Sequence, residues 1–207
     1  NRIFIFVPMK WLRYLFSIIW RLWFFIVFLL VFIGFIPALY FFTAINKKPI
    51  VVAHLCRYWS KLTLFFSFIF PKVEWEESLI LNDKYIFCPN HVSTLDIPFI
   101  LSIIPHPIQF IGKVEIARLP IFGWFYKNNS VIVNRANRKD AYNAFIKAGE
   151  KINQGINMCI FPEGGIPPKK IFLKKFKNGA FKLSLEKEIK IVPVTLADNK
   201  KIFPKEY

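Results

Sequence analysis

His91 and Asp96 stand five positions apart in Asn90-His91-Val92-Ser93-Thr94-Leu95-Asp96, and Phe161-Pro162-Glu163-Gly164-Gly165 follows about seventy positions later. On a single α-helix, side chains five apart point about 140° away from each other. They can still meet if His91 lies on the turn before a helix and Asp96 in its first turn. Asp96 then holds one imidazole nitrogen while the other faces substrate, which is the base-plus-orienter half of a catalytic triad. The stretch offers no evident enzyme nucleophile, so the expectation is that the substrate supplies one, as a hydroxyl. An alcohol is a poor nucleophile at neutral pH, and a base that takes its proton during attack is typically worth about 10²–10⁴ in rate. An imidazole, with an unperturbed pKa of about 6.5, can do this. Asn90 and Ser93 are expected as turn and cap residues. Pro98 supports a helix that starts close to Asp96.

The elements that must position these residues are legible from Lys72 onward. Tyr85–Cys88, Ile108–Ile111, Val131–Val133 and Met158–Phe161 are short, continuously apolar runs, as buried strands of α/β domains are. Ile189–Leu196 reads as a further strand. Helical periods lie between them. The clearest is Arg138–Asn153, where Ala141, Phe145, Ala148 and Ile152 line one face. Leu95–Ile104 and Phe176–Glu186 are weaker helical patterns. The alternation predicts an α/β domain, a mixed and mostly parallel sheet flanked by helices, over residues 72–207. Neither an internal repeat nor a low-complexity linker is visible. The chain starts at Asn1 and stops at Tyr207 soon after a strand-like run, so both ends are expected to be cut.

Residues 1–71 have a different character and predict an N-terminal, membrane-embedded helical segment. Leu22–Ile45 is a run of 24 residues without a charge. As a helix it spans about 36 Å, against about 30 Å of hydrocarbon. Gly34 and Pro37 allow a kink. The run is long for a secretory signal and lacks a small-residue cleavage site. From Pro49 to Phe70, apolar Val51, Val52, Leu55, Tyr58, Trp59, Leu62, Phe65, Phe66 and Ile69 recur at helical spacing, with His54, Arg57 and Lys61 opposite. This predicts an amphipathic helix, either lying in an interface or docked on the domain core. Lys10, Arg13 and Arg21 precede the uncharged run, and Lys47 and Lys48 follow it. Charge therefore sets no orientation, and a full span and a hairpin in one leaflet remain equal alternatives.

Composition narrows the partners. Hydrophobic residues make up 55% of the 207, with 25 Phe, and the formal charge is +16. A chain both this apolar and this basic points to anionic lipid or phosphorylated substrates rather than to nucleic acid. Its aromatic residues cluster in the membrane-like region, and no nucleic-acid-binding motif is present. Cys56, Cys88 and Cys159 are isolated and form no C-x-x-C pair, so they read as buried small hydrophobes in a reducing compartment. His54, His91 and His106 form no metal-binding pattern, and no metal site is expected.

The ordered set of Asn90-His91-x4-Asp96, Arg135, Phe161-Pro162-Glu163-Gly164 and Ile191-Val192-Pro193-Val194 resembles the glycerolipid acyltransferases of the PlsC type, over roughly Trp75 to Lys200. The resemblance implies their α/β fold. It also implies transfer of a fatty acyl group from acyl-CoA or acyl carrier protein to the sn-2 hydroxyl of lysophosphatidic acid. The product is phosphatidic acid, a step of phospholipid biosynthesis. His91 then becomes the general base and Asp96 its orienter. Arg135 binds the glycerol phosphate through its planar fork of donors. Glu163, Gly164 and Gly165 form part of the acceptor site, with Glu163 orienting the acceptor or a neighbouring basic group. Lys113, in Gly112-Lys113-Val114-Glu115, contacts phosphate or the developing oxyanion. No cofactor or metal is implied, because the acyl donor is a substrate. The enzyme is expected at the inner (cytoplasmic) membrane, in contact with membrane lipids, its catalytic part facing the cytoplasm.

The chain departs from the family pattern in three places. Ser130 stands where glycine is usual and Asn134 where aspartate is frequent. After Glu163-Gly164, Gly165 and Ile166 replace the usual Thr and Arg. Lys169, Lys170, Lys174 and Lys175 follow and could supply the missing charge. The departure leaves open a different lysolipid acceptor, such as a lysophospholipid or a lyso-ornithine lipid. A non-catalytic basic membrane-binding module is the alternative from another class.

Overall fold

A computed structural model describes residues 9–134, 136–168, 171 and 173–203, leaving aside the side chains of Met9, Lys10 and Arg138. Two helices lead the chain: α1 (Met9–Tyr40), continued by a π-helical turn at Phe41–Ile45, and α2 (Pro49–Phe66). Then come β1 (Tyr85–Pro89), α3 (Asp96–Ile103), β2 (Ile108–Lys113), a 3₁₀ turn at Ile116–Arg118 and α4 (Phe122–Asn129). They are followed by β3 (Val131–Val133), α5 (Arg138–Asn153), β4 (Asn157–Cys159), α6 (Gly179–Lys187), β5 (Lys190–Val194) and α7 (Asn199–Ile202).

The strands form one sheet in the order β3-β2-β4-β1-β5, and each pairing in it is parallel. Parallel strands need crossovers, and right-handed crossovers put helices on the side set by the direction of travel. From β1 to β3 the chain moves towards one edge, and from β3 to β5 it moves back. Helices α3 and α4 therefore cover one face, and α5 and α6 the other. Alternate residues of each strand serve the two layers. Phe87, Phe110 and Cys159 pack with Ile100, Phe125, Trp59 and Phe32 on the first face. Ile86, Met158 and Ile160 pack with Ala144, Ala148, Ile152 and Leu183 on the second. Helix α5 starts where Asn137 accepts the backbone N–H groups of Lys139 and Asp140 with its side chain, a residue type suited to that position.

The N-terminal helices belong to the first face. Trp59 of α2 meets Phe28 and Phe32 of α1 at ring distances of 4.7 and 5.8 Å. Phe32 also packs edge-on against Phe122 and Phe125 of α4. The indole N–H groups of Trp20 and Trp23 donate to the carbonyls of Ser67 and Phe66, satisfying orphan acceptors at the end of α2. Among the described residues helix α1 is already helical from Met9, ahead of the uncharged run at Leu22, because Arg13 and Arg21 end an uncharged run without ending a helix. Among the described residues, Trp11–Ile45 is long and apolar enough to cross a membrane. Helix α2 divides the apolar stripe expected of it. Val52, Cys56, Trp59 and Leu64 are buried in the protein, whereas Tyr58, Leu62, Phe65 and Phe66 stay exposed. Beside them α1 exposes Trp11, Leu15, Phe16, Ile19, Trp23 and Leu30. A contiguous exposed surface of this kind marks contact with lipid or protein.

Candidate active site

In an open parallel sheet, ligands bind beyond the carboxyl ends of the strands, where adjacent connections leave for opposite faces. That point falls between β1 and β4, since β1 leads to α3 on one face and β4 towards α6 on the other. The loop after β1 carries His91 and the loop after β4 carries Glu163. Lys113 ends β2, and the segment after β5 carries Leu196 and Asn199.

His91 lies on the turn before α3, and Asp96 is that helix's first residue. The imidazole Nδ1 stands 2.8 Å from Asp96 Oδ2. The same oxygen accepts the backbone N–H groups of Val92 at 2.7 Å and Ser93 at 2.9 Å. The other carboxylate oxygen, Oδ1, accepts from Asn199 Nδ2 at 2.9 Å. Asp96 is fully buried, while the His91 side chain keeps 14% of its surface accessible. A carboxylate at Nδ1 fixes the proton there and leaves the Nε2 lone pair for substrate. The Phe161 ring stacks on the imidazole at 4.0 Å with 22° between planes. An aromatic face so placed steadies the ring.

Glu163 is buried at 3% exposure, and both of its oxygens receive backbone amides. Oε1 accepts the His91 N–H at 2.8 Å and Oε2 the Lys174 N–H at 3.0 Å. It therefore ties the loop after β1 to the long segment after β4 beneath the histidine, with each carboxylate oxygen on a backbone amide. Glu163→Gln keeps the shape but turns one acceptor into a donor, so one of the two buried amides loses its partner. The expected result is a lower unfolding temperature, equivalent to about 1–3 kcal/mol. An unchanged thermal melt in the same detergent would show that these bonds do not hold the loops.

Gly164 adopts φ +71°, and a Cβ there would sit 2.9 Å from the Lys177 side chain. Gly165, at φ +146°, is also in a region closed to most side chains. Lys113 is exposed and pairs with Glu115 at 3.2 Å. Lys174 Nζ donates to the Ile166 carbonyl at 3.3 Å. Arg135, Lys169 and Lys170 lie outside the described residues. Asn90 is a strap: its Oδ1 accepts from Leu196 N–H at 2.7 Å, and its Nδ2 donates to the Leu196 carbonyl at 3.3 Å. The Ser93 hydroxyl accepts from Leu95 N–H and donates to the Phe203 carbonyl at 2.6 Å. Burial pushes the Cys88 thiol up to about 11 and the Cys159 thiol well above its usual value. Both stay protonated at neutral pH, which leaves no thiolate nucleophile at either position.

The structure brings His91, Asp96 and Glu163 together. The sequence offers no signal for Asn199, which is 103 positions from Asp96. The stacking of Phe161 on His91 likewise depends on β1 and β4 being neighbours.

Residues 71–197 match the family model described as Acyltransferase. The 1-acyl-sn-glycerol-3-phosphate acyltransferase of Saccharomyces cerevisiae is 30% identical over 139 residues, covering 66% of this chain and 46% of that protein. The chloroplastic 1-acyl-sn-glycerol-3-phosphate acyltransferase of Arabidopsis thaliana is 29% identical over 152 residues, covering 72% and 42%. The chain thus spans about half the length of such curated relatives. The crystal structure of the 1-acyl-sn-glycerophosphate acyltransferase PlsC from Thermotoga maritima has the same fold. Its TM-score is 0.74 at 24% identity, over 94% of this chain and 80% of that one.

Proposed function

The chain belongs to the acyltransferase family, and from that footing we propose that it acylates the sn-2 hydroxyl of lysophosphatidic acid to give phosphatidic acid. The observation that carries the reading is the accessible imidazole of His91, its Nδ1 held by buried Asp96 at the carboxyl ends of the strands. The relatives' names supply the acceptor. Acyl-CoA or acyl carrier protein is the donor, and the reaction uses no metal or bound cofactor.

His91 Nε2 takes the proton of the acceptor hydroxyl as its oxygen attacks the thioester carbonyl. The tetrahedral intermediate collapses, the carbon–sulfur bond breaks, and the imidazolium returns its proton to the leaving thiolate. Asp96 stabilises the imidazolium between these steps. Arg135 binds the acceptor phosphate, with Lys113 and the lysines after Gly165 adding positive charge. The glycines at 164 and 165 let the acceptor approach the backbone closely. The exposed apolar surface of α1 and α2 holds the site at headgroup depth, with the catalytic part on the cytoplasmic side of the membrane.

A panel of acceptors tests the proposal: lysophosphatidic acid, lysophosphatidylethanolamine, lysophosphatidylglycerol and a lyso-ornithine lipid in mixed micelles. Lysophosphatidic acid is expected to be preferred, and Arg135→Ala to raise its KM while sparing acceptors without a phosphomonoester. Transfer only to another lysolipid would keep the chemistry and overturn the acceptor. That second reading is favoured by one observation, the Gly165-Ile166 pair where the family has Thr-Arg.

A further inference from the structure

We infer that Asn199 is a positioning residue for the His91–Asp96 pair, an inference that rests on the general-base reading given above. Asn199 is buried at 3% exposure and faces a fully buried carboxylate. An amide next to a carboxylate oxygen must present its NH2 group, so the side chain is oriented as a donor. Its bond to Oδ1 at 2.9 Å makes the two oxygens of Asp96 inequivalent. Oδ1 is pinned by Asn199, and Oδ2 is left pointing at His91 Nδ1 and at the amides of Val92 and Ser93. A buried anionic oxygen stripped of a donor costs free energy and becomes more basic.

Asn199 is itself fixed from the membrane-facing side of the molecule. It opens α7, and its carbonyl accepts the Phe203 N–H at 2.9 Å. The Phe203 carbonyl takes the Ser93 hydroxyl bond, so the segment is clasped to the dyad loop at two points. The Phe203 ring lies against Trp20, Phe24 and Phe25 of α1 at 5.9, 5.4 and 5.8 Å, with the Arg21 guanidinium 4.5 Å above it. The relay runs from α1 through α7 to the carboxylate and then to the base. Asn199 acts through Asp96 and does not touch the reacting atoms.

The titratable and charged groups around the pair are few. Cys159 lies close enough to Asp96 to feel its charge, with its thiol protonated. Glu163 binds the His91 amide. Arg21 sits over Phe203, and Lys201 and Asp198 of the α7 segment pair with each other at 2.8 Å. Substituting Asn199 alters none of these, so a change in pH dependence is traceable to the lost donor. Loss of the donor makes Asp96 more basic, which stabilises the imidazolium. The acid limb of kcat/KM therefore moves to higher pH.

The test measures acyl transfer in mixed micelles with the full chain, Asn199→Leu, Asn199→Asp and His91→Ala side by side. Asn199→Leu keeps the volume and removes the donor. It is expected to lose roughly 10–100-fold in kcat, as removal of a partner that orients a ligand does, with KM for the lysolipid little changed. Its acid limb is expected to shift upward. In Asn199→Asp the new carboxyl faces Asp96 and donates only while protonated, so activity should fall along a new alkaline limb absent from the parent protein. That limb keeps the inference testable if Asn199→Leu does not fold. Parent-like kcat and an unshifted profile in a folded Asn199→Leu, or no new limb in Asn199→Asp, would overturn the positioning role while His91→Ala stays inactive. Transfer that persists in His91→Ala would overturn the general-base reading and this inference with it.

Discussion

Replacing His91 with alanine is expected to abolish acyl transfer and leave the fold in place. The imidazole is the sole group proposed to take the acceptor's proton, and that assistance is worth about 10²–10⁴ in rate. The further loss of its stabilised cation removes the proton donor for the departing thiolate. The structural cost is small. The ring forfeits its stack on Phe161, an interaction of about 0.5–1.5 kcal/mol, and its bond to Asp96 Oδ2, an oxygen that keeps the amides of Val92 and Ser93 as donors. The backbone N–H at position 91 stays bonded to Glu163, so the turn keeps its anchor. Kinetics in mixed micelles, together with a thermal melt, measure both effects. A folded His91→Ala protein within about tenfold of the parent kcat would contradict a general base at this position.

Asp96→Asn is expected to lower kcat, with about 10⁴ as the upper bound that applies when the amide also switches the tautomer of the catalytic histidine. The two faces of Asp96 make this variant informative. Oδ2 receives three donors, and an amide oxygen placed there still accepts from His91, Val92 and Ser93. The amide nitrogen then falls at Oδ1, where Asn199 can turn its own side chain to accept. Hydrogen-bond number is conserved and only charge is lost, so the expected defect is in turnover, with KM and melting temperature close to the parent. Asp96→Ala differs: it strands the buried amides of Val92 and Ser93 and is expected to cost about 1–3 kcal/mol of stability for each. Equal kcat values in Asp96→Asn and the parent would show that the carboxylate charge does not serve the reaction.

The dyad was readable because its geometry is local. Five residues that leave a turn and enter a helix need no tertiary information to bring His91 to Asp96. The strands were readable for a related reason. A parallel sheet covered on both faces buries most of its strand residues, and Tyr85–Cys88 and Val131–Val133 show that as unbroken apolar runs, with Gln109 the one polar residue in Ile108–Ile111. Helix α5 carries a cap and a regular apolar face, and its limits agree with the sequence pattern.

What escaped was what depends on neighbours remote in sequence. Helix α4, with Gly123 near its start, has no clean apolar period, and packing of Phe122 and Phe125 against Phe32 holds it in place. Glu163 looked like a ligand-facing carboxylate, and only the adjacency of β1 and β4 reveals the two backbone amides that enclose it. Asn199 sits in a short polar segment whose relation to Asp96 is set by the return of the chain to β5. In α2 the apolar residues serve two surroundings, protein on one side and an exposed face on the other. A single helical period does not separate them.

The most direct measurement follows a labelled acyl group from acyl-CoA or acyl carrier protein to lysophosphatidic acid in mixed micelles, then releases it with an sn-2-specific phospholipase. Labelled phosphatidic acid that gives up its label as free fatty acid is the predicted result. Folded, micelle-bound full chain that forms no labelled phosphatidic acid with either donor, or forms it with the label resistant to that lipase, would contradict sn-2 acylation of lysophosphatidic acid.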